Sequence, residues 1–190
     1  MVDITPFDVR ATDIDGLLLL TMKQVSDERG TVREFFRTSA FDEAGVSGFG
    51  SWLQVNVTET RQGALRGMHA ESMHKLVAVV AGEAFAAYVD LRPGSATFGE
   101  VVTTTLTPGT QVLVPPGVGN GFQATAPGAT QYVYCFDREW VPGMEGVACT
   151  PLDPDLGIGW PIPVDPDDPG QVSAKDRDAP RLRDLEGATP

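Results

Sequence analysis

Short apolar and β-branched runs, separated by glycine and proline turns, make up most of the chain. A run of this kind closes at Ala81-Gly82-Glu83, and later runs close at Pro108-Gly109 and Pro115-Pro116-Gly117. The segments that fit are 17–22, 32–36, 52–57, 76–80, 84–90, 101–107, 111–114 and 132–136. Strands at such regular short spacing are typical of a β-sandwich or barrel. Helix is scarce: only 39–44 predicts one short turn, with Ser39 as its cap.

Composition changes after Trp160. The last 30 residues contain six of the 15 prolines and seven acidic residues against four basic ones. Proline removes backbone donors and apolar content is low there, so composition alone predicts a surface tail behind one domain with its core in 1–160.

The formal net charge of −12, from 26 acidic and 14 basic residues, argues against nonspecific binding to nucleic acid or to an anionic membrane. The acidic N-terminus does not resemble a signal peptide, and the apolar run at 17–20 is too short to span a bilayer. We therefore expect a cytoplasmic protein. Cys135 and Cys149 make neither a disulfide framework nor a zinc knuckle, and burial as small apolar residues is expected.

Three groups suited to an anionic carbonyl ligand lie within ten residues of one another. Arg66 offers a guanidinium for phosphate, His69 an imidazole, and Lys75 leads into an apolar strand that could place its ammonium in a cavity. The spacing is equally compatible with an exposed polar edge.

A metal site is not expected. His69, Glu71 and His74 read H-x-E-x-x-H, and residues i and i+2 of a strand share a face. A third protein ligand is usually required, however, and these are the only two histidines. Asn120 stands where a cupin-type barrel would offer a further histidine. We predict neither a metal nor another cofactor.

The ordered motifs together identify the chain as a member of a known family. It resembles the dTDP-4-dehydrorhamnose 3,5-epimerases, the RmlC-like cupins of nucleotide-sugar metabolism, over about 150 residues. The stretches that carry the resemblance are DERGTVREFF (27–36), QVNVTETRQGALRGMHAE (54–71), HKLVAVVAGEAFAAYVDLRPGSATFG (74–99), VPPGVGNGF (114–122), LDPDLGIGWP (152–161) and VSAKD (172–176).

The resemblance implies an all-β, metal-free, antiparallel jelly-roll barrel that forms a homodimer through N-terminal strand contacts. It implies a dTDP-linked 4-keto-6-deoxyhexose as substrate, and abstraction of the acidic proton beside the ketone by a histidine. His69 matches this base and Asp176 its carboxylate partner, with Asp153 as runner-up; Lys75 matches the lysine that stabilises the enolate. Since Asp176 must reach the barrel, the expected domain becomes 1–178, with a tail at 179–190. The residues matched to substrate-binding positions are Arg29, Glu34, Gln54, Asn56, Arg66 and Asp90.

Several positions depart from the family pattern. Asn120 replaces a histidine, and an amide cannot carry a proton in or out. The tyrosine that reprotonates the substrate is expected to fall at Trp140, whose indole is not a usable acid, so Tyr134, Tyr132 or water would have to supply the proton. We retain Tyr134 as the catalytic candidate, and Asn120 and Trp140 as substrate-binding ones. The remaining departures are Thr31 and Val32 in the nucleotide-stacking segment, and Glu71 and Met73 in place of two glutamines.

Three functions remain open on these residues. The first is an epimerase or isomerase of a dTDP-linked 4-keto-deoxysugar, with altered or single-centre scope, in a natural-product sugar pathway. The second is an isomerase or cyclase of a non-sugar, polyketide-like carbonyl compound. The third is a sugar-nucleotide binding protein without activity.

Overall fold

Two antiparallel sheets face each other and enclose the apolar core in the computed structural model, which describes residues 2–186. One sheet has the strand order β10-β9-β12-β7-β14 and the other β2-β3-β11-β8-β13-β6; a smaller sheet has the order β1-β4-β5. This is the antiparallel jelly-roll barrel expected from the sequence. The strands are β1 (Asp3–Thr5), β2 (Asp8–Ala11), β3 (Leu18–Thr21), β4 (Lys23–Asp27), β5 (Gly30–Glu34), β6 (Gln54–Arg61), β7 (Leu65–Glu71), β8 (Lys75–Ala81), β9 (Ala84–Asp90), β10 (Val101–Leu106), β11 (Thr110–Val114), β12 (Val118–Ala124), β13 (Ala129–Phe136) and β14 (Gly146–Ala148).

Helical structure is limited to short segments. These are α1 (Thr38–Glu43), a 3₁₀ helix (Pro154–Leu156), α2 (Ala174–Arg177) and α3 (Leu182–Leu185). The prediction of a helix at 39–44 is confirmed to within one residue, but its cap is wrong: Ser39 lies inside α1, and Arg37 at the N-cap makes no side-chain capping bond. Within residues 2–186, no helix combines the length and the apolar character needed to cross a bilayer.

The core is filled from both sheets. Val77 and Val79 of β8 meet Ala86 and Tyr88 of β9, and the rings of Phe122 and Tyr132 stack with centroids 4.0 Å apart. Side chains of a strand alternate between its two faces, so the other face of β8 and β13 is free to pack against a second cluster. Cys135 and Cys149 are buried and unbonded to each other, and burial raises the pKa of the Cys149 thiol to about 12.

Two strands approach unusually closely where glycines face each other. Gly67 of β7 has φ +122°, and a Cβ atom there would lie 2.7 Å from the Asn120 carbonyl oxygen of β12. Any side chain at Gly67 would push β7 away from β12. In the register between these strands, His69 lies directly opposite Asn120.

The C-terminal segment folds back onto the barrel. Asp176 is buried, and Leu65 at the start of β7 donates its amide to the Gln171 carbonyl oxygen. Packing continues past residue 178, because the Leu182 amide donates to Asp153 Oδ2 at 2.7 Å, and Leu182 and Leu185 pack against an apolar cluster. The segment predicted as a tail therefore contains α3; its last four residues, 187–190, lie outside the described residues.

Candidate active site

A cavity of about 240 Å³ opens between the two main sheets. Strands β6, β8 and β13 contribute one wall, and β7 and β12 the other. The residues that line it are Gln54, Asn56, Thr58, Arg66, Gly67, His69, Glu71, Lys75, Asn120, Tyr134, Phe136 and Trp140. Eight of the twelve site residues predicted from the sequence are in this set, and a ninth, Asp176, is hydrogen-bonded to His69.

His69 is held from behind by Asp176. The His69 Nε2 atom lies 2.7 Å from Asp176 Oδ1, and the Gly67 amide donates to Asp176 Oδ2 at 3.4 Å. Burial opposes ionisation of Asp176, but its bonds to His69 and to the Gly67 amide outweigh this and lower its pKa. An ionised carboxylate accepts a hydrogen bond from Nε2–H, which leaves the Nδ1 lone pair unprotonated. The pair is therefore set up as a base.

Local sequence explains how Asp176 arrives there. Ser173 is the N-cap of α2, and its Oγ atom accepts from the Asp176 amide at 3.1 Å. This bond stops the extended chain and turns Asp176 into the first helical turn, with its side chain toward β7.

Lys75 enters the cavity from the first position of β8 and is only 2% exposed. Its Nζ atom donates to Glu71 Oε2 at 2.5 Å and to the His69 carbonyl oxygen at 2.9 Å. Burial lowers the pKa of Lys75, while the Glu71 carboxylate works against that shift. Burial likewise opposes ionisation of Glu71, but the Lys75 ammonium favours the carboxylate more strongly, so the pKa of Glu71 is lowered overall.

Tyr134 lies on β13, in the sheet facing that of His69, so the two side chains occupy opposite walls of the cavity. Burial raises the pKa of Tyr134 well above its usual value, with Tyr132 adding to the effect, and the phenol stays protonated. Tyr132 is not among the lining residues; its hydroxyl receives a bond from Asn120 Nδ2 at 3.4 Å. A tyrosine proton is thus available in the cavity although position 140 holds tryptophan.

The mouth of the cavity combines a cation, two amides and an aromatic ring. Arg66 donates to the Thr60 hydroxyl at 3.1 Å, and within residues 2–186 no carboxylate forms an ion pair with it. Gln54 Nε2 donates to Asn56 Oδ1, and Gln54 Oε1 accepts from the backbone amide of Trp140. The Trp140 residue is 51% exposed. A guanidinium and a half-exposed indole suit a phosphate and a planar ring, respectively.

Three predicted site residues lie elsewhere. Arg29 immediately precedes β5 and pairs with Asp27, while Glu34 is the last residue of β5 and pairs with Arg37. Asp90 is buried away from the cavity and accepts bonds from Arg92, Ser95 and Thr97. Asp90 therefore does not line the cavity, because its carboxylate closes the loop after β9. The runner-up Asp153 is also apart from His69: it caps the 3₁₀ helix and accepts from Leu182.

The second histidine does not join the first. His74 Nδ1 lies 3.0 Å from Asp137 Oδ2, and His74 is absent from the cavity lining. Among the described residues, no cluster of three or more His, Cys, Asp or Glu side chains is arranged to hold a metal ion.

Four lining residues were not predicted as site residues: Thr58, Gly67, Glu71 and Phe136. Thr58 and Phe136 could have been found, because each lies two residues along the same strand face from a predicted position, Asn56 or Tyr134. Glu71 shares a face of β7 with His69, and the sequence marked it in the H-x-E-x-x-H pattern and as a departure from the family pattern, but not as a site residue.

The sequence pattern of the dTDP-4-dehydrorhamnose 3,5-epimerase family matches residues 11–184. The chain belongs to this family. It is 36% identical over 167 residues to the dTDP-4-dehydro-6-deoxyglucose 3-epimerase of Streptomyces bikiniensis, which covers 85% of this chain and 82% of the relative. It is 34% identical over 185 residues to the dTDP-4-dehydrorhamnose 3,5-epimerase of Streptomyces griseus, covering 94% and 88%.

Solved structures give the same result. The epimerase of Legionella pneumophila in complex with dTDP-4-keto-L-rhamnose superposes with a TM-score of 0.82 at 31% identity, covering 95% of this chain and 97% of that one. As a member of this epimerase family, the chain is an isomerase, and its His69, Asp176, Lys75 and Tyr134 lie together in one cavity or directly behind it.

Proposed function

We propose that this protein epimerises a dTDP-linked 4-keto-6-deoxyhexose at one carbon beside the ketone. The observation that carries the proposal is the placement of His69 and Tyr134 on opposite walls of one cavity, with Lys75 between the sheets. Inversion of a carbon centre needs a base on one face and an acid on the other, and the cavity offers both.

Each group has a definite task in this reaction. His69 Nδ1 removes the proton from the carbon next to C4, and the C–H electrons form the enolate on the C4 oxygen. The Lys75 ammonium stabilises that oxyanion, since it is a fixed donor in a buried site. The Tyr134 hydroxyl then delivers its proton to the carbon from the opposite face, and the ketone re-forms. Solvent returns the proton from the imidazolium to the tyrosinate.

The size of the cavity limits which part of the substrate it encloses. Pockets that enclose a whole drug-sized ligand measure roughly 300–1,000 Å³, and this cavity measures about 240 Å³. The sugar therefore occupies the cavity, the diphosphate meets Arg66 at the mouth, and the thymine lies against Trp140 outside it. The ligand of the Legionella relative, a dTDP-linked keto sugar, supports a substrate of this class.

A single reacting centre fits the departures of this chain. Asn120 lies opposite His69 where the family pattern expects a histidine, so the cavity has one imidazole to move protons instead of two. The S. bikiniensis relative, a 3-epimerase, supports C3 as that centre.

The active protein is proposed to be a homodimer. β5 and β6 are each the last strand of their sheets, and both expose valines: Val32 is 73% exposed, Val55 58% and Val57 59%. Unpaired apolar edges are templates for strand addition. Pairing of β5 from a second copy with β6 would bring Arg29 and Glu34 of that copy beside Gln54 at the cavity mouth.

Incubation with dTDP-4-keto-6-deoxyglucose in deuterium oxide tests the function. The expected result is deuterium at one carbon, C3, with inversion, read by NMR. Deuterium at both C3 and C5 would correct the scope, and absence of exchange at either carbon in folded protein would overturn the proposed reaction. A shift of the melting temperature by dTDP, without exchange, would instead indicate an inactive binding protein.

A further inference from the structure

Glu71 is a carboxylate inside the cavity, next to the group that would stabilise the enolate. It is two residues from His69 on the same face of β7, and its side chain is 22% exposed. Since the proposed substrate carries a diphosphate, a negative charge here opposes substrate binding by simple electrostatics. Its presence therefore calls for a compensating role.

The contacts of Lys75 define that role. Its ammonium has three N–H groups, and in residues 2–186 two of them have acceptors: Glu71 Oε2 and the His69 carbonyl oxygen. The third is left for the cavity, which Lys75 lines. Glu71 thus orients the ammonium of Lys75 and also balances its positive charge.

Burial makes the charge of this lysine dependent on a partner. Burial removes the water that hydrates a protonated amine, so it favours the neutral form. A neutral Lys75 would be a weaker donor to a developing oxyanion. The charged or titratable groups around the ammonium, from every strand and helix that borders the cavity, are Glu71, His69 and Arg66 of β7, Tyr134 of β13 and Asp176 of α2 behind His69.

We propose that Glu71 is a positioning residue for the epimerisation, which keeps Lys75 protonated and turns its free N–H toward the C4 oxygen of the substrate. The inference rests on the proposed function. Glu71 acts here through Lys75 and makes no bond to the substrate. Its cost in diphosphate affinity is offset by faster enolate formation.

The negative charge of Glu71 can be removed by a substitution that keeps the shape of its side chain. Glu71→Gln keeps an oxygen acceptor for Lys75, and Glu71→Asp keeps the negative charge on a shorter side chain. The chain has three lysines, of which Lys23 and Lys175 are exposed, so NMR of lysine labelled at its ε-carbon resolves Lys75 beside two internal controls. This titration needs neither substrate nor activity.

In Glu71→Gln, we expect Lys75 to titrate at lower pH than in the wild type, with Lys23 and Lys175 unchanged. Glu71→Asp should return the Lys75 titration toward the wild-type position. In turnover, Glu71→Gln should lower kcat at neutral pH on the order of tenfold, less than the 10²–10³-fold typical of removing an oxyanion donor outright. The alkaline limb of kcat should move to lower pH, and KM should stay unchanged or fall.

Two results would overturn the proposal. One is an unchanged Lys75 titration in Glu71→Gln; the other is a raised KM with unchanged kcat, which would place Glu71 in direct contact with the substrate. A wild-type protein without exchange activity would refute the proposed function alone, because the lysine titration still decides whether Glu71 controls Lys75. If Glu71→Gln does not fold, Glu71→Asp carries the test. Its shorter side chain weakens the contact, so Lys75 should titrate at lower pH than in the wild type, and an unchanged Lys75 titration would contradict the pairing.

Discussion

The Nε2 atom of His69 lies 2.7 Å from Oδ1 of Asp176, although 107 positions separate the two residues in the chain. The contact joins β7, in the wall of the barrel, to α2, in the segment that composition alone marked as a surface tail. It fixes the protonated nitrogen of His69 and leaves Nδ1 of this cavity-lining residue free to act as a base. The C-terminal segment is therefore part of the proposed active site.

Asp176→Asn should lower kcat about 10²–10⁴-fold with little change in folding, because an amide donates to Nε2 and forces the proton onto Nδ1. Deuterium exchange at C3 measures this effect. Asp178→Asn, in the same segment but exposed and paired with Arg177, is the matched control and should keep wild-type exchange. An equal loss of exchange activity in both variants would show that the substitutions detach α2 from the barrel.

The same carboxylate makes stability depend on pH. The folded pKa of Asp176 lies below the ordinary aspartate value of 3.8, so its ionised form stabilises the fold. This contribution is fully present above that ordinary value and is lost as the pH falls through the folded pKa. Urea unfolding measured from neutral to acidic pH should therefore show a smaller acid-induced loss of the free energy of unfolding for Asp176→Asn than for the wild type. An identical pH dependence in the two proteins would contradict the pKa shift.

Tyr134→Phe should separate exchange from inversion. His69 can still remove the proton, so deuterium should enter the substrate, but no acid stands on the opposite face and the enolate is reprotonated from the original side. Epimer formation is expected to fall about 10²–10⁴-fold while wash-in persists. Both are read from one NMR time course.

Tyr132→Phe is the control for that variant, since Tyr132 lies on the same strand but does not line the cavity. Tyr132→Phe should keep most of the wild-type rate of epimer formation. If Tyr134→Phe inverted the centre at the wild-type rate, another group would have to be the acid. Tyr132 and water are the alternatives named from the sequence.

Strands with a continuous apolar or alternating pattern were predictable from sequence. The predicted segments 84–90 and 76–80 correspond to β9 and β8, because their side chains are buried and mostly branched or aromatic. The two strands that carry His69 and Asn120 were not among them. β7 reads LRGMHAE and β12 reads VGNGFQA, and glycines interrupt the hydrophobic pattern in both.

Those glycines are the physical reason why β7 and β12 were not predicted as strands. Gly67 and Gly121 lack side chains because the backbones of β7 and β12 pass too close for a Cβ atom. Close backbone approach weakens the local strand signal, so the hydrophobic pattern did not predict that His69 and Asn120 lie on facing strands. The resemblance in turn assigned Asp90 to the substrate, since a carboxylate in the right order along the chain says nothing about the Arg92, Ser95 and Thr97 side chains that surround it.

Asp90→Asn should therefore affect stability and leave KM unchanged. The buried carboxylate accepts bonds from Arg92, Ser95 and Thr97, and hydrogen bonds to a charged group contribute about 1.5–3 kcal/mol each to stability. We expect the free energy of unfolding in urea to fall by about 2–3 kcal/mol. Asp178→Asn again serves as the control and should unfold like the wild type. A raised KM at unchanged stability would return Asp90 to the substrate site.

Val57→Lys should separate the proposed dimer into monomers, because it places a charge on the exposed apolar edge of β6 where β5 of a second copy is expected to pair. Burying an unpaired polar group costs about 1–3 kcal/mol, so self-association should weaken by about tenfold or more. Sedimentation velocity measures the change. KM should rise in parallel, because the second copy would no longer supply Arg29 and Glu34. Val80→Lys, an exposed valine on β8 away from that edge, should leave both the association and KM as in the wild type. A wild-type protein that sediments as a monomer with full activity would contradict the shared site.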